Sequence, residues 1–271
     1  MKDDSPKKTI APERMPVLFM GHGSPMNGIE ENRYSRAWRE IGARLPSPKA
    51  VLCISAHWLT RGTFTHDGPK PKTIHDFWGF PRELYEISYD CPGSPELARE
   101  VRSLVHGTPV EPDSEWGLDH GAWVPLIKMY PHADVPVFQL SIDISRPAAF
   151  HYELGRELAP LREKGVLIVG SGNIVHNLGR VSFEPDAAPY DWAMEFDALS
   201  RDLIERGDHK ELIAYEDLGR AASLSIPTPD HYWPLMYILG LQLPAEPVSF
   251  PVEGIAHGSV SMRTVLIGGQ V

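Results

Sequence analysis

Twelve of the 271 residues are histidines, and three short apolar runs each lead into one of them. Pro16 to Met20 leads into Gly21-His22-Gly23-Ser24-Pro25, and Ala50 to Ile54 leads into Ser55-Ala56-His57-Trp58. Val166 to Val169 leads into Gly170-Ser171-Gly172-Asn173-Ile174-Val175-His176-Asn177. A lone histidine at a strand end is usually a polar group satisfied by a backbone carbonyl. Two at equivalent strand ends point instead to one divalent metal ion, because neutral imidazoles suit Zn(II) or Fe(II) and a sheet edge brings strand ends together. His22 and His57 are the primary candidates. His176, several residues beyond its run, reads either as a ligand or as a free base beside the metal. His231 follows Pro227-Thr228-Pro229-Asp230, a stiff lead-in that would aim one imidazole at a fixed point.

A fifth histidine sits in Trp116-Gly117-Leu118-Asp119-His120-Gly121-Ala122-Trp123. Two readings stand side by side. His120 is a hydrogen-bonding group in the wall of a substrate pocket, with Trp123 nearby, or it opens a helix that Asp119 caps. His75 and Phe77, in Thr73-Ile74-His75-Asp76-Phe77, are further candidates for that wall, with Asp76 read as holding His75 in place. His66, His106, His132, His151, His209 and His257 read as surface or structural residues.

These residues need a scaffold. The runs Pro16 to Met20, Ala50 to Ser55, Val135 to Ile142 and Val166 to Val169 are nearly continuous in apolar residues, as strands buried on both faces require. Helical stretches lie between them: Tyr34 to Leu45; one capped by Ser94 with Pro95 in its first turn and Gly107 beyond its end; and Ser145 to Lys164, closed by Gly165. Pro189 to Arg206 ends at Gly207, and Asp230 is placed to cap a helix from His231 to Leu239. Ser259 to Ile267 alternates like an antiparallel edge strand. The expected fold is α/β: a single domain, residues 15–271, with a central, mostly parallel mixed sheet covered by helices on both faces. Met1 to Arg14 reads as a flexible tail. Residues Asp67 to Pro95, dense in Pro, Gly and aromatics, read as a packed loop over a pocket. In such sheets, ligands bind beyond the carboxyl ends of the strands, where the histidines lie.

Composition removes several function classes. With 36 acidic against 26 basic side chains and a formal charge of −10, the chain would repel nucleic acid and anionic membrane surfaces. Two cysteines, Cys53 and Cys91, offer no disulfide framework or thiolate metal site, and suit a reducing cytoplasm. No run has the length of a membrane span, and the charged N-terminus lacks the apolar stretch of a signal peptide. Ser24, Ser55 and Ser171 lack the flanking glycines of a nucleophile elbow. Gly21-His22-Gly23 lacks the rest of a dinucleotide or phosphate-loop signature.

The ordered set GHGSPM, SAHW, TIHDFWGFP, WGLDHGAW, KMYP followed by VFQLSID, GSGNIVHNL and PTPDHYWPL resembles the bacterial DOPA 4,5-dioxygenase-like proteins. These belong to the LigB-type, class III extradiol ring-cleaving dioxygenases, and the resemblance runs from about Met15 to the C-terminus. It implies a non-haem metal centre, with Fe(II) expected for activity and Zn(II) able to occupy the site. It also implies cleavage of a catechol beside its two hydroxyls, with both atoms of O2 inserted to give a muconic semialdehyde. His22 and His57 match the family's metal-binding histidines, and His231 completes the metal site. His176 matches a histidine described as metal-proximal or as the catalytic base, and His120 one thought to contact substrate or assist proton transfer. Better-known class III enzymes use a glutamate where this chain offers His231 beside Asp230, so the ligand at that corner is open. The partners implied are a small catechol and O2, with the chain a monomer or small homo-oligomer. A zinc-dependent hydrolase or chelatase-like enzyme, and a non-catalytic metal-binding protein of similar fold, are the alternatives.

Overall fold

A computed structural model describes residues 14–184 and 187–271. The expected N-terminal tail lies, but for Arg14, outside the described residues. Six strands form the central sheet: β1 (Val17–Gly21), β2 (Ala50–Ser55), β3 (Val137–Gln139), β4 (Val166–Gly172), β5 (Val248–Val252) and β6 (Thr264–Ile267), in the order β5-β6-β1-β4-β2-β3. β1, β4, β2 and β3 are mutually parallel, while β6 runs antiparallel to both β1 and β5. The sheet is therefore mixed and mostly parallel, as expected from the sequence.

Strand periodicity sorts the apolar side chains into two cores. Val17, Phe19, Leu52, Ile54, Val166 and Ile168 face one side, and Leu18, Met20, Val51, Cys53, Leu167 and Val169 face the other. Two helices cover the second side: α1 (Arg33–Arg44), through Trp38 and Ile41, and α3 (His120–Met129), through Trp123, Val124 and Leu126. The first side receives α2 (Pro95–Leu104), α4 (Ala148–Glu157), α5 (Asp191–Arg206) and the fully apolar α6 (Trp233–Gly240). With both faces covered, the central strands must be apolar throughout, which is why they read as continuous runs.

Several local expectations are corrected. The stretch Ser145 to Lys164 is not one helix: α4 ends at Glu157 and a single turn, Pro160–Glu163, follows. Pro160 lacks the N–H needed to continue α4. The run Val135 to Ile142 divides into β3 and Ile142–Asp143, which pairs with Leu59–Thr60 outside the sheet. Ser94 precedes α2 without a side-chain cap. β6 is antiparallel but interior, and the edge belongs to β5, which sequence patterning did not reveal. Asp230 does not cap α6, which starts at Trp233; its carboxylate turns to the ring of His231 instead.

The carboxyl ends of β1, β4 and β2 lie level, with Gly21 beside Gly172 and Ser171 beside Ser55. His22 and His57 emerge on either side of β4. Between them, the segment leading to α6 sits directly on the end of β4, where Asn173 N–H donates to the His231 carbonyl at 2.8 Å. Gly172 makes this possible, because any Cβ there would collide with the His231 carbonyl oxygen. Gly172→Ala is expected to lower the urea unfolding midpoint at unchanged m-value, by roughly 1–3 kcal/mol of overpacking; a wild-type midpoint would show that the α6 lead-in shifts freely.

A buried histidine cluster at the strand ends

Five of the sequence-selected histidines form one group. The His22 ring lies 5.1 Å from His57, 5.3 Å from His120 and 5.3 Å from His231, centroid to centroid. His57 is 3.9 Å from His120 and 5.0 Å from His231, and His176 stacks on His231 at 3.5 Å with 9° between planes. Donor atoms of His22, His57 and His120 lie within 4.8 Å of one another, as do those of His176, Asp230 and His231; either group could hold a metal ion.

The protons on these rings can be placed from their partners. Pro125 lies inside α3 and has no N–H to give the carbonyl four residues earlier, that of Gly121. The Ser171 hydroxyl fills the gap, donating to that carbonyl at 2.5 Å. Its single proton is thereby used, so toward His22 Nδ1, 3.0 Å away, it can only accept. His22 therefore carries its proton on Nδ1 and a lone pair on Nε2. The His57 Nδ1 lies 3.3 Å from an Asp76 carboxylate oxygen, which draws its proton to that side. The Nε2 atoms of His22 and His57 then face each other, 3.1 Å apart, each with a lone pair. His231 likewise gives its Nδ1 proton to Asp230 at 2.5 Å.

His120 is the first residue of α3, which Asp119 caps by accepting from Ala122 N–H at 3.2 Å, and its ring also joins the cluster. The helix-start reading of this residue therefore holds, with its ring turned into the cluster. Gly121 lets the helix start approach β2, since a Cβ there would strike the Ser55 hydroxyl. His75 stands apart: Asp76 does not hold it, and its Nε2 meets the Ile87 carbonyl at 3.1 Å. The aromatic loop is packed, as expected. Phe77 lies 5.7 Å from His120 and 6.3 Å from Trp123, the Lys72–Thr73 strand pairs with Gly117–Leu118, and Trp78 projects outward, 86% exposed. Sequence reasoning missed Ser171 and Asp76 as partners of the cluster. Ser171 was legible in part, since it lies in the same glycine-rich strand end as His176, but nothing local couples Asp76 to His57.

Burial governs the charge state. It drives His22 and His231 well below the usual histidine range, with repulsion from neighbouring imidazoles adding to the effect. Burial and then His120 lower His57 to about 3, against the pull of Asp76, and burial lowers His176 to about 4. For Asp76, burial opposes ionisation, but hydrogen bonds and charge from His120, with help from His57, prevail and hold it at about 2. His22, His57, His176 and His231 are neutral imidazoles near an ionised carboxylate, the form in which histidines bind metal.

These features define an α/β protein with a buried, ligand-ready histidine cluster at a parallel sheet's carboxyl edge. Residues 16–250 match the family described as the catalytic LigB subunit of aromatic ring-opening dioxygenase. The chain is 51% identical over 259 residues to a 4,5-DOPA dioxygenase extradiol of Escherichia coli (strain K12), covering 94% of this chain and 95% of that protein. A 4,5-DOPA dioxygenase extradiol of Beta vulgaris is 42% identical over 233 residues, covering 83% and 85%. A crystal structure of an uncharacterised Escherichia coli K12 protein superposes with a TM-score of 0.83 at 46% identity, covering 94% of this chain and all of that one. The chain belongs to the LigB family and is an oxidoreductase of the extradiol ring-cleaving type. Among the described residues no helix is long and apolar enough to cross a membrane.

The buried neutral histidines make stability depend on pH. In the unfolded chain each binds a proton near pH 6.5, whereas the folded protein withholds protonation until about 3 at His57 and about 4 at His176 and His151. Stability is then complete above pH 6.5 and is lost as pH falls toward the folded values. Metal-free protein should unfold at a lower urea midpoint at pH 5 than at pH 7.5; equal midpoints would show that these rings protonate without cost.

Proposed function

We propose that this chain is a metal-dependent extradiol dioxygenase that opens the ring of a DOPA-like catechol, inserting both atoms of O2 to give a muconic semialdehyde. Residues 15–271 act as one catalytic domain. The observation that carries the metal is the pair of facing Nε2 lone pairs on His22 and His57, which repel one another unless a cation lies between them. His22 and His57 would hold the ion through these two nitrogens, which lie 3.1 Å apart. Imidazole donors with carboxylate support suit Fe(II) as well as Zn(II). When bound, Fe(II) supplies the redox path between catechol and O2 that redox-inert zinc lacks.

His231 is the third ligand in this reading, its Nδ1 held by Asp230 and its backbone fixed to the strand between His22 and His57. His176 is then a base and not a ligand. Its ring stacks on that of His231, 3.5 Å between centroids and 9° between planes, which places it beside the ligand set proposed here. Neutral at pH 7, His176 is ready to accept a proton from a substrate hydroxyl. His120, tied through Nδ1 to Asp76, offers Nε2 as an acceptor toward the substrate or its proton. Phe77 and Trp123, with His75 behind them, form an aromatic wall suited to a flat ring. One observation favours His120 as third ligand in place of His231, namely its grouping with His22 and His57 within 4.8 Å. The free, buried Cys53 and Cys91 suit a reducing cytoplasm.

His22→Ala and His57→Ala should each abolish stoichiometric metal binding by equilibrium dialysis. His231→Ala should weaken it by about tenfold or more while His120→Ala retains it, and the reverse order would make His120 the ligand. Turnover is read by oxygen uptake with visible spectra, on protein stripped of metal, reloaded anaerobically with Fe(II), and given DOPA, catechol or protocatechuate. Oxygen consumption with a new yellow chromophore, absent from the zinc-loaded control, is expected. In His176→Ala the rate should fall by roughly 10²–10⁴, the usual contribution of a general base, with metal content intact. No uptake with any catechol despite one bound metal per chain would contradict the dioxygenase reading and favour a zinc hydrolase.

A further inference from the structure

The aromatic loop delivers a single carboxylate to two rings of the cluster. Oδ1 of Asp76 accepts from the backbone N–H of His120 and from its ring Nδ1–H, each at 2.9 Å. Oδ2 lies 3.3 Å from Nδ1 of His57. The loop is held in place at both flanks of Asp76, by the pairing of Lys72–Thr73 with Gly117–Leu118 and by Phe77 packed near His120 and Trp123. Asp76 itself is not a ligand in the reading above, and its carboxylate bonds to His120 and faces His57, not the ring of His75.

We propose that Asp76 is a positioning residue that sets the proton arrangement of His57 and His120 together, fixing Nδ1–H on both so that each keeps an Nε2 lone pair. Its consequence at His57 rests on the metal-centre reading, whereas its effect on His120 does not. A carboxylate that accepts from the far nitrogen of a metal-binding histidine fixes the ring and raises its basicity, and removing such a partner typically costs 10- to 100-fold in metal affinity. Here the same group also orients the ring nearest to His57, so one side chain links metal binding to the histidine that faces substrate.

The two carboxylate oxygens are not equivalent, and this gives the proposal a specific signature. The His120 backbone N–H is a donor that cannot change, so whatever stands at Oδ1 must accept. In Asp76→Asn the amide oxygen is therefore held at His120, which keeps its Nδ1 proton. The amide NH2 is turned to His57, where two donors meet unless the His57 proton moves to Nε2, and that proton blocks the lone pair a metal needs. Asp76→Leu removes both acceptors at similar size.

The test combines Zn(II) affinity, by competition with a chelator, with 15N spectra of histidine rings in metal-free protein. Asp76→Asn should raise the Zn(II) Kd by about 10- to 100-fold while His120 retains its proton on Nδ1. Asp76→Leu should raise the Kd at least as much and release the His120 proton from Nδ1. General damage to the loop would not separate the two variants at His120. A wild-type Kd in Asp76→Asn, or the same His120 proton arrangement in both variants, would overturn the proposal. If the wild-type protein bound no Zn(II), the metal-centre reading would fail, and the contrast between the variants at His120 would still decide the role of Asp76.

Discussion

Two imidazole lone pairs held face to face in a buried site are the constraint on which the rest of this structure turns. Neutral nitrogens 3.1 Å apart repel when both carry lone pairs, and His22 is buried away from water while the His57 side chain is only 20% exposed. The arrangement persists because each ring is gripped from behind. Pro125 frees the Gly121 carbonyl, the Ser171 hydroxyl satisfies it, and the same hydroxyl then accepts only from His22. Asp76 and Asp230 do the equivalent for His57 and His231. A helix-breaking residue on one face of the sheet thus helps decide which nitrogen of His22 is free at its edge.

Packing follows from the same demand. Three neighbouring parallel strands end level, and the middle one ends in Gly170-Ser171-Gly172, so that the segment carrying His231 rests on its backbone. Small residues here sacrifice side-chain packing to bring backbones close, a local cost that the two large apolar cores offset. The aromatic loop adds Asp76 and Phe77 to the cluster and leaves Trp78 in solvent. Rigid strand ends hold the groups that must not move, and the flank that carries Asp76 and His120 is built from loop and helix start, where variation in shape is tolerated.

Much of the scaffold was legible because burial on both faces writes long apolar runs into β1, β2 and β4, and because a glycine closes α5 in a left-handed turn at Gly207. β5 escaped notice because it is a partly exposed edge strand interrupted by Pro251, with no apolar run to mark it. Asp230 looked like a helix cap because its type and position suit one; the competing hydrogen bond to His231 is visible only in three dimensions. The five histidines were legible from what precedes them in sequence. Their partners were not, since Asp76 reaches His120 across 44 residues and Ser171 reaches His22 across 149.

The central claim is that the facing nitrogens of His22 and His57 share one ion. Anomalous diffraction at the iron edge, from crystals loaded anaerobically with Fe(II), locates it directly. The account predicts a single strong peak bonded to Nε2 of both rings, with His176 outside the coordination shell. A peak between His176 and Asp230, with the His22 and His57 nitrogens left unbound, would contradict it.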